Sequence, residues 1–218
     1  MWAESVQHRA VVGGLAVWLA IAARIAGADT APPTKDVVAQ FAKAADQHRV
    51  GIAHKTKPVD ARPAKPGEIV VTVIKDEGVE TRSKPAEAGD WVVRNRCPAT
   101  GNEQYLVKAA KFPSRYGEPQ GPADPEGWRE FHPSGTDMRY FIVTGADGAF
   151  SFTAPWGEAM VGKPGDAIVQ TPGDEKDTYR VAAESFACTY EIVQQPRAGL
   201  AASRRRIAGW HVLTLPSE

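Results

Sequence analysis

Two stretches of this chain run in the same register, and that constrains its fold more than any other feature. Gly89-Asp90-Trp91-Val92-Val93 and Gly165-Asp166-Ala167-Ile168-Val169 each read as a Gly-Asp turn feeding a strand of β-branched residues. Tyr105 through Phe112 (YLVKAAKF) then matches Tyr179 through Phe186 (YRVAAESF) without a gap, and each reaches another tyrosine four places on, Tyr116 and Tyr190. The slippage between the copies is two residues in the polar turn after the first strand, Asn95 to Asn102, where hairpins tolerate insertion. The pattern predicts one small β-rich unit present twice.

Upstream the agreement is looser. Val70 to Ile74 precedes Asp76-Glu77-Gly78, and Tyr140 to Thr144 precedes Ala146-Asp147-Gly148, each reading as a strand entering a hairpin turn. The fold class expected is mainly β (α+β): two tandem small β-rolls or half-barrels of about four short strands each, with an N-terminal helix. Each closes on a short helical turn, Ala109 to Tyr116 or Ala183 to Tyr190. The boundaries are a helix at 35–56, a first unit at 57–116, a connecting surface loop at 117–135, a second unit at 136–193 and a tail at 194–218. Val37, Val38, Phe41, Ala45 and Ile52 form the helix's apolar stripe. Lys55 to Gly67 holds three prolines and reads as an extended lead-in or edge strand.

Lys plus Arg and Asp plus Glu both number 26, so no overall field draws the chain to nucleic acid. The two cysteines, Cys97 and Cys188, fall at non-equivalent places in the two units. The reading favoured is a pair of free, partly buried thiols, with a single bridge between units as the alternative. Within 1–34, the apolar run Ala10 to Ala23 followed by Ala26-Gly27-Ala28 has the form of a signal peptide. The readings left open are export, a membrane anchor if the run is retained, and a cytoplasmic protein whose translation starts further on.

Lys57-Pro58-Val59, then Gly89-Asp90-Trp91, then Tyr105 and the closing Phe112 and Tyr116 resemble the small PGDYG proteins common in phage and bacterial genomes. Their pattern is Lys-Pro-Val, then Pro-Gly-Asp-Tyr or Pro-Gly-Asp-Trp, then Phe-x-x-x-Tyr. Pro164-Gly165-Asp166 and Phe186 to Tyr190 resemble the same unit again. Copy one has Ala88 in place of the family's proline, and copy two has Ala167 in place of the aromatic and lacks Lys-Pro-Val. The resemblance implies a fold unit and no activity.

Asp90 and Asp166 suit a structural task, since aspartate after glycine at a strand entry accepts from nearby backbone amides. The paired aromatics Tyr105, Phe112, Tyr116, Tyr179, Phe186 and Tyr190 read as core. There is no Gly-x-Ser-x-Gly elbow, no phosphate loop and no spacing for a metal, and no cofactor is expected. Trp156 to Met160 reads as an insertion into the second copy. Function is therefore expected in a groove between copies near Trp91, Trp128 and Trp156, with Glu158 and His132 close by and Arg94 and Arg96 facing the opposite copy. The leading expectation is a non-enzymatic protein binding a small molecule or another protein. The rival is a hydrolase-like enzyme using Glu158 or Asp166 as base beside His132. Arg204-Arg205-Arg206 reads as a solvated charge run.

Overall fold

The computed structural model describes residues 31–197; the apolar run at Ala10 to Ala23 and the triple arginine at 204–206 lie outside them. Elements follow in the order α1 (Val37–Asp46), β1 (Gly51–Lys55), β2 (Val59–Pro63), β3 (Val71–Ile74), β4 (Gly78–Arg82), β5 (Trp91–Asn95), a 3-10 turn (Pro98–Thr100), β6 (Gln104–Val107) and β7 (Tyr116–Gln120). Then come β8 (Arg129–Pro133), β9 (Met138–Ile142), β10 (Phe150–Thr153), β11 (Ala159–Gly162), β12 (Ala167–Thr171), β13 (Asp174–Val181), α2 (Ala183–Thr189) and β14 (Tyr190–Gln194). Among the described residues the fold is mainly β, in several small sheets with no closed barrel. Among the described residues no helix is long and apolar enough to cross a membrane.

The strands form two five-stranded antiparallel sheets, ordered β6-β5-β2-β8-β7 and β13-β12-β9-β1-β14, plus the two-stranded ribbons β3-β4 and β10-β11. The two large sheets have the same connectivity position for position, except that one strand in each comes from elsewhere. β1 leads directly into β2 of the first sheet, yet it lies in the second, pairing Gly51 with Tyr140 of β9 and Lys55 with Tyr190 of β14. β8 leads directly into β9 of the second sheet, yet it lies in the first, pairing Val59 of β2 with Phe131 and Gln120 of β7 with Glu130. The sheets have exchanged strands. β1 enters at very close range: a Cβ at Gly51 would stand 2.5 Å from the Gln194 carbonyl oxygen and 2.6 Å from the Tyr140 ring.

Several sequence expectations are corrected here. The helix expected over 35–56 ends at Asp46, because His48 takes a φ of 57° and the chain turns into β1. Its cap is the Asp36 carboxylate, which accepts from the Val38 and Ala39 amides, and it buries Val37, Phe41 and Ala44. The segment expected as an edge is β2, the middle strand of the first sheet; Pro58 precedes it and Pro63 ends it, so neither proline interrupts the ladder. The loop expected at 117–135 contains β7 and β8, with Trp128 and Phe131 buried. The matching of Val70–Ile74 to Tyr140–Thr144 fails, since β3 sits in a ribbon while β9 holds the central place that β2 holds in the first sheet. Trp156 to Met160 is the turn and second strand of the β10–β11 ribbon, which stands where β3–β4 stands in the first unit, and is no insertion.

The Gly-Asp turns do the same work in both places. Gly89 and Gly165 take φ of 89° and 102°, the left-handed region open to glycine. Asp90 accepts from the amides of Glu87 (2.9 Å) and Ala109 (3.0 Å), and Asp166 from those of Lys163 (2.8 Å) and Ala183 (3.1 Å). Each carboxylate thus ties its own loop to the helical turn that closes its unit.

Cys97 and Cys188 form a disulfide with a Cα–Cα separation of 6.1 Å, correcting the expectation of free thiols. Non-equivalent positions meet because the segment leading into the 3-10 turn of one unit packs against α2 of the other. The bridge spans 91 residues of sequence. Replacing both cysteines with alanine is expected to lower unfolding stability by about 2–4 kcal/mol, read from the denaturant midpoint. In that variant, a proteolytic cut between the exposed residues Gly121 and Ala123 is expected to leave both fragments eluting together on native size-exclusion, held by the exchanged strands. Separation of the fragments would show that exchange does not hold the halves together.

Candidate functional site

Between the two sheets lies a cavity of about 570 Å³. Its wall takes Ile74 from β3, Leu106 and Val107 from β6, Met138 from β9, Met160 from β11 and Val181 from β13, so apolar surface predominates. Into this wall project four tyrosines, one from each edge strand of the two large sheets: Tyr105 (β6), Tyr116 (β7), Tyr179 (β13) and Tyr190 (β14). The edges of the two sheets thus face a shared interior.

A polar chain crosses from one sheet to the other. Lys55, the last residue of the exchanged strand β1, donates from Nζ to Asn95 Oδ1 (2.9 Å) and to the Tyr105 hydroxyl (3.2 Å). The Tyr105 and Tyr116 hydroxyls are 2.8 Å apart. Asn95 Nδ2 donates to Glu103 Oε1 (2.7 Å), and the Ser185 hydroxyl of α2 donates to the same oxygen (2.5 Å). Thr100 donates to the other carboxylate oxygen. Across the cavity Arg115 donates to both carboxylate oxygens of Asp177 (3.3 and 3.2 Å), and its guanidinium lies 5.2 Å from the Tyr179 ring centroid.

Lys55 borders the cavity and is only partly exposed. Its ammonium form loses hydration there, which lowers its pKa to about 8; Glu103 opposes the shift and the Arg115 charge adds to it. Burial pushes the hydroxyls of Tyr105 and Tyr190 well above the usual range, and that of Tyr116 up to about 12. These tyrosines are neutral donors at any ordinary pH.

The residues expected to form a groove do not converge. Trp156 and Glu158 border the cavity, with Trp156 tilted against Tyr179 at 5.5 Å. Trp91 instead stacks on Phe112 at 4.3 Å inside the first sheet's own core. Trp128 packs with Ala64, Val70, Ala86 and Val92 and lies under the guanidiniums of Arg62 (5.0 Å) and Arg94 (4.4 Å). Arg94 and Arg96 stay within their own sheet, bonded to Asp60 at 3.0 and 2.6 Å. His132 is exposed and bonded to its strand neighbour Glu130 at 2.9 Å. Asp166 is held by Arg180 Nε (2.6 Å) and Nη2 (3.0 Å), so the acid–histidine set of the enzyme reading is not assembled. Phe112 and Phe186 are buried, packed on Tyr116 and Tyr190 at 5.1 and 5.0 Å. The sequence alone does not single out Lys55, Asn95, Glu103 or Arg115; its one hint is that Lys55 closes a short segment between Gly51 and Pro58.

Among the described residues no group of three or more His, Cys, Asp or Glu side chains is placed to hold a metal. No protein-family model, curated protein or solved structure matches this chain.

The pH dependence of stability follows from these groups. A lysine whose pKa falls on folding leaves the unfolded chain binding more protons between the folded and unfolded values, so its contribution rises with pH across that window. With Lys55 near 8 when folded, urea unfolding from pH 8 to pH 10 is expected to show a rise of about 2 kcal/mol that Lys55→Met lacks. Above about pH 10 the buried tyrosines act oppositely, since the unfolded chain loses phenolic protons first, and stability falls in both proteins. Equal slopes in the two proteins from pH 8 to pH 10 would refute the assignment to Lys55.

Proposed function

We propose that this protein binds a small organic molecule in the cavity between its two sheets. The observation that carries this reading is the cavity itself: a volume of about 570 Å³, mostly apolar walls, and a few fixed polar groups on one network. Such a surface rewards burial of an apolar body while the hydroxyls and Lys55 orient its polar end. Descent of both units from one sequence, and kinship with the PGDYG proteins, belong to the same proposal. They rest on the shared strand order and on the paired Gly-Asp and Phe-x-x-x-Tyr registers. The disulfide supports residence in an oxidising compartment.

The test is a thermal-shift screen of aromatic and aliphatic fragments of about 8–15 non-hydrogen atoms, repeated on Leu106→Trp, which fills the cavity from β6. A fragment present at 100 times its Kd is expected to stabilise the wild-type protein by about 2.7 kcal/mol. Folded Leu106→Trp, checked by circular dichroism, is expected to lose that shift. Fragments that fail at millimolar concentration, or whose shifts survive the filling, would refute the reading.

A further inference from the structure

Lys55 stands apart from the other cations of the cavity wall. Arg115 is paired with Asp177, and Arg180 with Asp166, Glu77 and Glu80. Lys55 makes no ion pair among the described residues; its two acceptors are the neutral Asn95 and Tyr105. An ammonium has three donors, so one N–H is left without a protein acceptor there. Glu103, the nearest carboxylate in electrostatic effect, spends its oxygens on Asn95, Ser185 and Thr100. The amine is flanked by the rings of Tyr105 and Tyr190, with centroids 5.6 and 5.7 Å from Nζ.

This is the setting that turns a lysine into a nucleophile: desolvation within an apolar wall, a second cation nearby, and a place in the lining of a cavity. Both causes favour the free base, which is half-populated near pH 8; an exposed lysine, with a pKa near 10.4, reaches that fraction only in strong alkali. A proton relay is also in place, because the Tyr105 hydroxyl contacts both Nζ and the Tyr116 hydroxyl.

We infer that Lys55 captures carbonyl compounds, its amine condensing with an aldehyde or ketone held in the cavity to form an imine. The inference rests on the cavity being a ligand site. In the first step the Nζ lone pair attacks the carbonyl carbon, a C–N bond forms, and the π electrons of C=O move to oxygen, which takes a proton from the Tyr105 hydroxyl. Nζ gives up a proton that restores Tyr105 through the hydroxyl pair. The carbinolamine hydroxyl then takes a second proton from the restored Tyr105 hydroxyl, the nitrogen lone pair expels it as water, and the remaining N–H proton returns to the Tyr105 oxygen, leaving C=N. One amine and one carbonyl compound give one imine and one water; nothing is oxidised or reduced, and hydrolysis reverses the step. The high pKa of Tyr105 keeps it protonated and able to donate.

The test uses the full chain with benzaldehyde as carbonyl probe and sodium cyanoborohydride to reduce the imine to a stable benzylamine, mapped by peptide mass spectrometry at pH 7.5. Lys55 is expected to be modified at least about tenfold faster than any other lysine, with a rate that rises through pH 8. Folded Lys55→Met is expected to lose the adduct, and Tyr105→Phe to form it several-fold more slowly; benzyl alcohol, the matched non-carbonyl probe, reports binding to the wild-type cavity. If Lys55→Met does not fold, the lysine map and pH–rate profile of the wild-type protein decide. Modification spread evenly over the lysines while benzyl alcohol still binds in the cavity would overturn the inference and leave the binding reading intact. Failure of both probes to engage the wild-type cavity would overturn both.

Discussion

Exchange of β1 and β8 is the constraint from which the rest of the molecule follows. Each strand is covalently joined to the first strand of one sheet and hydrogen-bonded inside the other. Pulling the sheets apart therefore exposes unpaired backbone on both sides of each inserted strand, and every such buried group left without a partner costs free energy. Gly51 records how closely β1 is seated, since any side chain there would overlap the Tyr140 ring and the Gln194 carbonyl. The Cys97–Cys188 bridge adds a covalent tie at the same junction.

The cavity takes its walls from both of the sheets that the exchange joins. Because the inserted strands take the fourth place in each sheet, the outer places fall to β6 and β7 in one and to β13 and β14 in the other. Those four edges supply the tyrosines that face the interior. The exchanged strand β1 also delivers Lys55 to the wall, where it meets Asn95 of β5 and Tyr105 of β6 across the junction. A group that is adjacent in sequence to one unit thus completes a surface built largely by both.

The two units share their connectivity but not their electrostatics. Asp90 pairs with the half-exposed Lys108 at 2.9 Å, whereas Asp166 pairs with Arg180, which is 4% exposed. Arg180 also holds Glu77 and Glu80 of the first unit's β3–β4 ribbon, and Lys163 reaches Glu77 at 2.9 Å. Such a buried cation is tolerable only with its partners in place, and removing one would leave an uncompensated charge. The first ribbon is in this way fastened to the second unit.

What the sequence determined by itself was local. The Gly-Asp turns, the strands they feed and the helical turn before Tyr190 are set by backbone freedom at glycine, by side-chain capping and by β-branched spacing, all of which act within a few residues. Which sheet a strand joins is decided by long-range pairing, and a five-residue segment such as β1 or β8 carries no mark of its partner; this is why 51–55 reads as helix and 117–135 as loop. The same limit hid the cavity. Tyr105, Tyr116, Tyr179 and Tyr190 were legible as a repeated pattern, but aromatic spacing looks alike whether the rings fill a core or line a space. Lys55 acquires its character only from the water that the assembled sheets exclude, which is a property of the tertiary structure and of no residue taken singly.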